Sequence, residues 1–411
     1  MDWPIVSFAM LAAALAGRTL FTALATAAGI FALLFAAASA FFGRRFLRGL
    51  RRRATAPSLP PVTVIKPLKG ADGPLYENLA SFFRQEYPCF QLVFCLQSPD
   101  DPALGVVTRL KREFPDADME VVVSKNRIGF NPKVNNMANG YAFAKYDLLL
   151  LSDSDVHARP DFLRRMVVPF EDTGVGLVTA FYEATGSRGL WGHMEALSVN
   201  ASFLPQALCA AAFGMRFAMG AAMMVRRAAF ESAGGFYNLA DHLADDFWLG
   251  ESIREAGWNL ELSDAVVETV PDIDDGAEHF KHLVRWARTI RICQPAGYAA
   301  SLIQHGFSLL TLEVILFGAD RRALALMLGI WAAKAAASAF LGDALGGRQP
   351  VRALLLLPLA EWFSFAAWIA GCGSSRVLWR GELYEVQSQG RLVPVAVPTP
   401  ALRRRPAAVE P

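Results

Sequence analysis

Two aspartates close an apolar run in Leu148-Leu-Leu-Leu-Ser-Asp153-Ser-Asp155. A buried strand has no use for acids at its end, whereas a divalent cation bridging a diphosphate needs hard oxygen ligands there. Such a cation offsets the charge that develops as a nucleoside diphosphate departs. The same Asp and Ser residues would also cap a helix starting near Pro160, so D-x-D alone leaves two readings. A second acidic group, Asp241-His242-Leu-Ala-Asp245-Asp246-Phe247, precedes a helix marked by Trp248, Ile253 and Trp258. Acids at that position complement a helix dipole, or one of them serves as the general base that takes a proton from a hydroxyl. The third group is His282-Leu-Val-Arg285-Trp286, followed by Arg288 and Arg291. Arginine grips phosphate through two parallel hydrogen bonds, and tryptophan offers an apolar face to a sugar or lipid. The alternative is a basic amphipathic helix lying on anionic lipid. Two weaker features, Lys66-Pro67-Leu-Lys69-Gly70 and Gln97-Ser-Pro-Asp100-Asp101, sit after apolar runs and are composed like ordinary turns.

These groups need a scaffold, and the spacing of short β-branched runs supplies one. Strands are predicted at 62–65, 91–96, 120–123, 148–151 and 176–180, with helical patterns at 75–84, 103–114 and 133–144. That alternation predicts an α/β domain with a parallel, doubly wound sheet, whose ligands bind beyond the carboxyl ends of the strands.

Hydrophobic residues are 54% of the 411, charged residues 19%, and the excess lies at the two ends. Residues 20–42 are an uninterrupted apolar run, long enough to cross a bilayer core. Arg44, Arg45, Arg48, Arg51, Arg52 and Arg53 follow at once, which places the chain after them on the cytoplasmic side. Residues 5–17 form a shorter apolar run, read as a first helix or a surface-lying segment. Three more hydrophobic blocks follow Pro295, at 299–318, 323–342 and 351–372. They carry Gln304, His305, Glu313, Lys334, Pro358 and Glu361, polar groups that at bilayer depth face protein or a cavity. Three spans would put the arginine-bearing tail outside, so 299–318 is expected to be interfacial or re-entrant. The boundaries expected are a membrane anchor at 1–53, a cytosolic domain at 54–294, membrane helices at 295–373 and a partly disordered tail at 374–411. A net charge of +2 gives no case for nucleic acid. Five scattered cysteines fit free thiols rather than a disulfide framework or zinc site. Arginine far outnumbers lysine and alanine is abundant, pointing to a bacterial inner membrane as the location.

Acids after the second and fourth strands, an acid before a later helix, and R-W at a membrane boundary occur in an order that resembles the lipid-directed and processive members of the inverting glycosyltransferase family two superfamily. The strings Lys66-Pro-Leu-Lys-Gly70, Asp100-Asp-Pro-Ala103, Asn131-Pro-Lys-Val-Asn-Asn136, Ala144-Lys-Tyr-Asp-Leu148 and Gly174-Val-Gly-Leu177 resemble more closely the ceramide glucosyltransferases, family twenty-one. The likeness covers residues 62–292. It implies a GT-A domain, a UDP-sugar donor, Mg2+ or Mn2+, and a lipid acceptor in the membrane. By position it implies donor contacts from Lys66, Pro67, Asp100 or Asp101, Lys133 and Asp153, with the metal on Asp153 and Asp155. Asp246 would be the base, beside Asp245, and Arg285 and Trp286 fall on the (Q/R)-x-x-R-W motif. His282 stands at that motif's first position, which departs from the pattern and puts its usual role in doubt. The chain also reads D-S-D where ceramide enzymes commonly read D-S-G. Acceptors other than ceramide fit the same chemistry: a polyol-bearing hopanoid, or ceramide with a uronosyl donor. A processive polysaccharide synthase would carry more spans and a complete motif, and a degenerate scaffold would have lost its acids. Nothing in the sequence sets an oligomeric state.

Overall fold

Runs of Val, Ile and Leu with no polar alternation make strands buried on both faces, and the centre of this fold is built from them. A computed structural model describes residues 3–51, 58–71, 73–345, 350–379, 382–387 and 390–395. Arg52, Arg53, Arg380, residues 55–57 of the linker and the proline-rich tail from 396, with Arg403, Arg404 and Arg405, lie outside the described residues. The chain opens with α1 (Trp3–Arg51) and continues through β1 (Val62–Pro67), α2 (Leu75–Phe83), β2 (Phe90–Leu96), α3 (Ala103–Glu113), β3 (Met119–Val123), α4 (Pro132–Tyr141) and β4 (Leu148–Ser152). Next come β5 (Val156–His157), α5 (Phe162–Val167), β6 (Val175–Ala184), α6 (Gly189–Leu197), a π-helical stretch (Ser198–Phe203) and α7 (Leu204–Ala212). They are followed by β7 (Ala222–Arg226), α8 (Arg227–Ser232), α9 (Gly235–Leu239), α10 (Asp245–Glu255), β8 (Asn259–Thr269) and α11 (Gly276–Cys293). The C-terminal part holds α12 (Pro295–Ala300), α13 (Gly306–Phe317), α14 (Arg321–Leu345), α15 (Val351–Leu354), α16 (Leu357–Cys372) and three short strands, β9 (Arg376–Trp379), β10 (Glu382–Val386) and β11 (Leu392–Pro394).

Every strand and helix expected in the first half of the domain is present within a few residues of its predicted ends. The sheet is not wholly parallel, however. Its order is β3-β2-β1-β4-β7-β6-β8-β5, and only the β3-β2-β1-β4 half is parallel throughout. β7 runs antiparallel to both β4 and β6, so the sheet reverses direction directly beside the strand that carries Asp153. Close contact of helix and sheet depends on glycine at one place: a Cβ on Gly140 of α4 would come within 2.2 Å of the Cys95 sulfur on β2.

The two apolar runs at the N-terminus are one helix. At about 1.5 Å per residue, α1 is far longer than the ~30 Å hydrocarbon core of a bilayer. Its residues 20–43 pack on α13 and α14 through a buried stripe of Ala25, Ala28, Ala32 and Ala36, small residues that let backbones approach. A Cβ on Gly306 of α13 would lie 2.3 Å from the Ala28 carbonyl oxygen, so the approach there is backbone to backbone. The arginine-bearing end of α1 continues into the soluble domain, where Leu47 is buried with Phe181, Leu262 and Val266. Its arginines do local work. Arg44 donates to the Phe340 carbonyl at 2.8 Å and Arg51 donates to that of Ala344, while Arg159 donates to that of Leu345 at 2.9 Å. The carbonyls of Ala344 and Leu345 are among the last four of α14, which have no partner within their own helix, and that of Phe340 stands one turn before them.

Among the described residues, three helical segments are long and apolar enough to cross a membrane: 15–51, 295–317 and 321–345. Phe317 meets Phe21, Arg322 reaches Thr26, and Leu341 lies by Gly43, so α13 leads away from the α/β domain and α14 returns to it. The segment at 299–318, expected to be interfacial or re-entrant, coincides with the second of these three stretches. The shorter helix is α16: it follows α15, whose Leu354 carbonyl accepts from the Trp331 indole at the middle of α14, and ends where Gly371 approaches Ala287 of α11. Two carboxylates in these blocks are paired with cations. Lys334 pairs with Glu361, and Arg322 with Glu313, so neither carboxylate is left alone in an apolar setting.

Within the tail expected at 374–411, residues 376–379, 382–386 and 392–394 form the β9–β10–β11 sheet. Leu392 donates to the Asp241 carbonyl at 2.7 Å, and Leu243 to that of Gly390 at 3.1 Å, so this sheet braces the loop leading into α10. Arg288 and Arg291, read from sequence as phosphate- or lipid-facing, donate to the carbonyls of Arg376 and Ser374 at 2.7 and 3.0 Å.

Candidate active site

The carboxyl ends of β1 and β4 lie side by side, and the loops beyond them bring most of the predicted residues together. Lys66, next to last in β1, is fully buried. Its ammonium lies 3.8 Å from the Phe82 ring centroid and donates to the Asp153 carbonyl at 2.7 Å and the Ser152 hydroxyl at 3.2 Å. Burial pushes it down to about 7, against the pull of Asp153 and Asp155. Pro67 ends the strand opposite Cys95 in the register and makes no polar contact among those described.

Asp153 is half-buried and its carboxylate meets Lys133 at 2.8 Å. Lys133 also lies 3.2 Å from Asp245, so one cation bridges the D-S-D turn to the start of α10. Burial alone would lower that ammonium, but the two carboxylates outweigh it and hold the group above its ordinary value. Lys133 is aimed by Asn131, which caps α4 by accepting from the Lys133 and Val134 amides at 2.9 and 3.1 Å. The Asn131 side chain donates to the His242 carbonyl at 2.8 Å, tying α4 to the acidic loop. Replacing Lys133 with methionine strands two carboxylates. Breaking a fully buried pair costs about 3–5 kcal/mol, and the loss here should fall at the low end because Asp153 retains some water. We expect a lower melting temperature together with weaker nucleotide-sugar binding. A variant that melts and binds like the wild type would remove Lys133 from the site.

Asp155 projects at the lip of the site. Partial loss of water on its inner side, and then the Asp153 charge, hold its carboxyl above the ordinary range. Two hard-oxygen donors crowded at a strand end suit a divalent cation, which would relieve that repulsion, with further ligands left to the diphosphate. No cluster of three protein ligands exists among the described residues.

The choice between Asp100 and Asp101 is sharpened by their contacts. Asp101 accepts from the Gly70 and Ala103 amides, both at 2.9 Å, and so clamps the β1 loop to the start of α3. Asp100 is exposed beside it. The α10 pair divides similarly. Asp245 faces Lys133, whereas Asp246 accepts from the Gly220 amide at 2.9 Å and from its own following amide, Phe247, at 2.8 Å. Burial, then the Asp245 charge, pushes the Asp246 carboxyl up to about 6. A side chain on Gly220 would crowd that carboxylate, whose Oδ2 is 3.1 Å from the ideal Cβ.

Arg285 and Trp286 lie on α11, and His282 approaches Glu195 of α6 at 2.7 Å. Trp286 packs beside Tyr182 on a small cluster formed by Ala184, Ala196 and Val199. Tyr182 and Glu195 were not singled out from sequence. Tyr182 lies in the combined field of Asp246, Glu195, Asp155 and Asp153; burial first, then those four charges, hold its phenol far above the ordinary value. The only sequence signal for Glu195 was a lone acid in the apolar string Met194-Glu-Ala-Leu197.

The sequence model of glycosyl transferase family 21 matches residues 21–392. Ceramide glucosyltransferase 1 of Caenorhabditis elegans is 30% identical over 238 residues, 56% of this chain and 50% of that protein. Ceramide glucosyltransferase 3 of the same organism is 32% identical over 207 residues, 50% of this chain and 45% of that one. The ceramide glucosyltransferase of Komagataella phaffii is 38% identical over 124 residues, 28% of this chain and 24% of its own length. The chain therefore spans about half the length, or less, of the curated relatives it matches. Among solved structures, a mannosyltransferase from Pyrobaculum calidifontis in complex with GDP-Man and Mn2+ aligns over 84% of this chain and 99% of its own, with a TM-score of 0.46 and 20% identity.

Proposed function

Because the chain belongs to glycosyl transferase family 21, we propose that it is a membrane-bound inverting glycosyltransferase that moves a hexose from a UDP-sugar to the primary hydroxyl of a ceramide. The observation that carries this reading is the single edge at which Lys66, Lys133, Asp153 and Asp246 meet, beside helices long enough to span a bilayer. Asp100 would contact the nucleoside, and Lys66 and Lys133 the charge of the diphosphate. Asp153 and Asp155 would hold Mg2+ or Mn2+, which when bound neutralises charge on the leaving diphosphate.

Asp246 does the proton chemistry in this reading. Its carboxylate is held by two backbone amides and raised toward neutrality, the range in which a carboxylate is an effective base yet largely ionised at pH 7. It takes the proton of the acceptor hydroxyl as that oxygen attacks the anomeric carbon from the face opposite the UDP. One displacement inverts the configuration. Arg285 and Trp286 stand on the α6 side of the same space, toward the membrane helices.

The arginine-bearing end of α1 meets the α/β domain, which supports a cytoplasmic catalytic domain in an inner membrane. One experiment tests reaction and orientation together. Sealed inside-out vesicles given UDP-glucose and ceramide should form glucosylceramide, identified by lipid mass spectrometry, while right-side-out vesicles should form none. Glycosylation of a polyol-bearing hopanoid with ceramide untouched would replace the acceptor, and product only in right-side-out vesicles would reverse the orientation.

A further inference from the structure

Between α6 and α11 lies a carboxylate that the proposed chemistry does not use. Glu195 is buried, and each of its oxygens faces a different histidine: Oε2 lies 2.8 Å from Nδ1 of His279, and Oε1 lies 2.7 Å from Nδ1 of His282. The surroundings are otherwise apolar. Trp191 and Phe363 flank His279, with ring centroids 6.2 and 5.6 Å away. A carboxylate in such a place needs polar partners: the His279 contact is a hydrogen bond, whereas Nδ1 of His282 approaches Oε1 as an ion-pair contact without hydrogen-bond geometry. Nε2 of the fully buried His279 makes no hydrogen bond. His282 differs: a quarter of its side chain is exposed, and its ring packs edge-on to Trp286 at 4.7 Å.

We propose that Glu195 is the positioning residue for the acceptor side of the site, holding the face of α11 that carries His282, Arg285 and Trp286 in one rotation against α6. The spacing makes this possible. His279, His282 and Trp286 stand at i, i+3 and i+7 on one face of α11, so a two-point grip on the histidines sets the direction of the indole. Apolar packing alone would join the two helices as firmly, but it would not fix α11 about its own axis, as two polar contacts to one carboxylate do.

The side of the site follows from Tyr182. It feels the charges of both Asp246 and Glu195 and stacks on Phe203 at 5.0 Å, and Phe203 in turn meets Trp286 at 6.2 Å. The segment from α6 to α7 packs on α1 and α14. Glu195, on α6, thus lies on the side of the domain where α11, α15 and α16 pack. Asn200 in the π-helical stretch secures that segment to the end of β6, exchanging two hydrogen bonds with Ala184 at 2.9 and 2.7 Å.

The inference rests on the glycolipid-forming reading above, and the test separates the two. The full-length enzyme in lipid nanodiscs is assayed with UDP-glucose and ceramide, with UDP binding and the melting temperature measured alongside. Glu195→Gln keeps the shape but leaves only one oxygen to face the two histidines. It should lower kcat/KM for ceramide by about 10–100-fold, the penalty of a misplaced contact group, while UDP binding stays unchanged. His282→Phe removes the imidazole facing Oε1 and should by itself lower kcat/KM for ceramide by a comparable factor. In the His282→Phe background the Glu195→Gln loss should shrink several-fold, because one of the two contacts it acts through is gone. Wild-type efficiency in Glu195→Gln, parallel loss of UDP binding, or full additivity of the two substitutions would overturn the positioning role alone. A wild type that forms no glycosylated lipid would overturn the functional reading, and this one with it.

Discussion

Stripping divalent cations with EDTA should stop transfer by the purified enzyme, and adding back Mg2+ or Mn2+ should restore it. The expectation rests on Asp153 and Asp155, two carboxylates that raise each other's affinity for positive charge at the end of a buried strand. Lewis-acid stabilisation of a leaving diphosphate is worth several kcal/mol, hence on the order of 10³ or more in rate. Asp155→Asn should lose that factor with little change in melting temperature, since the side chain is exposed. Asp153→Asn should lose it as well, but with some stability, because it also releases Lys133. Full activity in a metal-free preparation would end the metal assignment. Loss of melting temperature in both variants would make the D-S-D turn a purely structural cap.

Much of this arrangement could be read from residue order because the strands around the site are apolar runs that end abruptly. Val62–Pro67 and Leu148–Ser152 are buried along their whole length, and a polar residue after such a run marks a loop at a strand's end. β7 carried no such mark. Ala222-Met-Met-Val-Arg226 lacks β-branched alternation and becomes a strand only because the edges of β4 and β6 lie free on either side of it. The long helix α1 shows a different limit. Hydropathy reports that residues 20–42 suit a bilayer, yet the alanines at 25, 28, 32 and 36 state which face meets other helices, and only their three-dimensional partners reveal it. The arginines after them were legible as a charge signal but not as caps for the α14 carbonyls nearly 300 residues away. The bridge from Lys133 to Asp153 and Asp245, and the grip of Glu195 on two histidines, join elements remote in sequence. No local pattern announces contacts of that kind.

Asp246→Asn is expected to reduce kcat by about 10²–10⁴, the usual contribution of a general base, and to leave UDP binding intact. Asparagine keeps the size of the side chain and can still accept from the Gly220 amide, so α10 should remain in place. The pH profile distinguishes a base from a scaffold. With the Asp246 carboxyl pushed up to about 6, kcat/KM should fall as pH is lowered through that value, because the protonated acid cannot accept the hydroxyl's proton. The Asp246→Asn enzyme should lack that limb. The Asp245 charge is, after burial, what raises the Asp246 carboxyl, so Asp245→Asn removes a negative neighbour and should move the limb to lower pH. Its kcat should fall less, although the Lys133 bridge loses one arm. An inactive Asp245→Asn beside a normal Asp246→Asn would exchange their roles. An acid limb that persists in Asp246→Asn would place the base elsewhere, and loss of UDP binding in both would assign the pair to the donor.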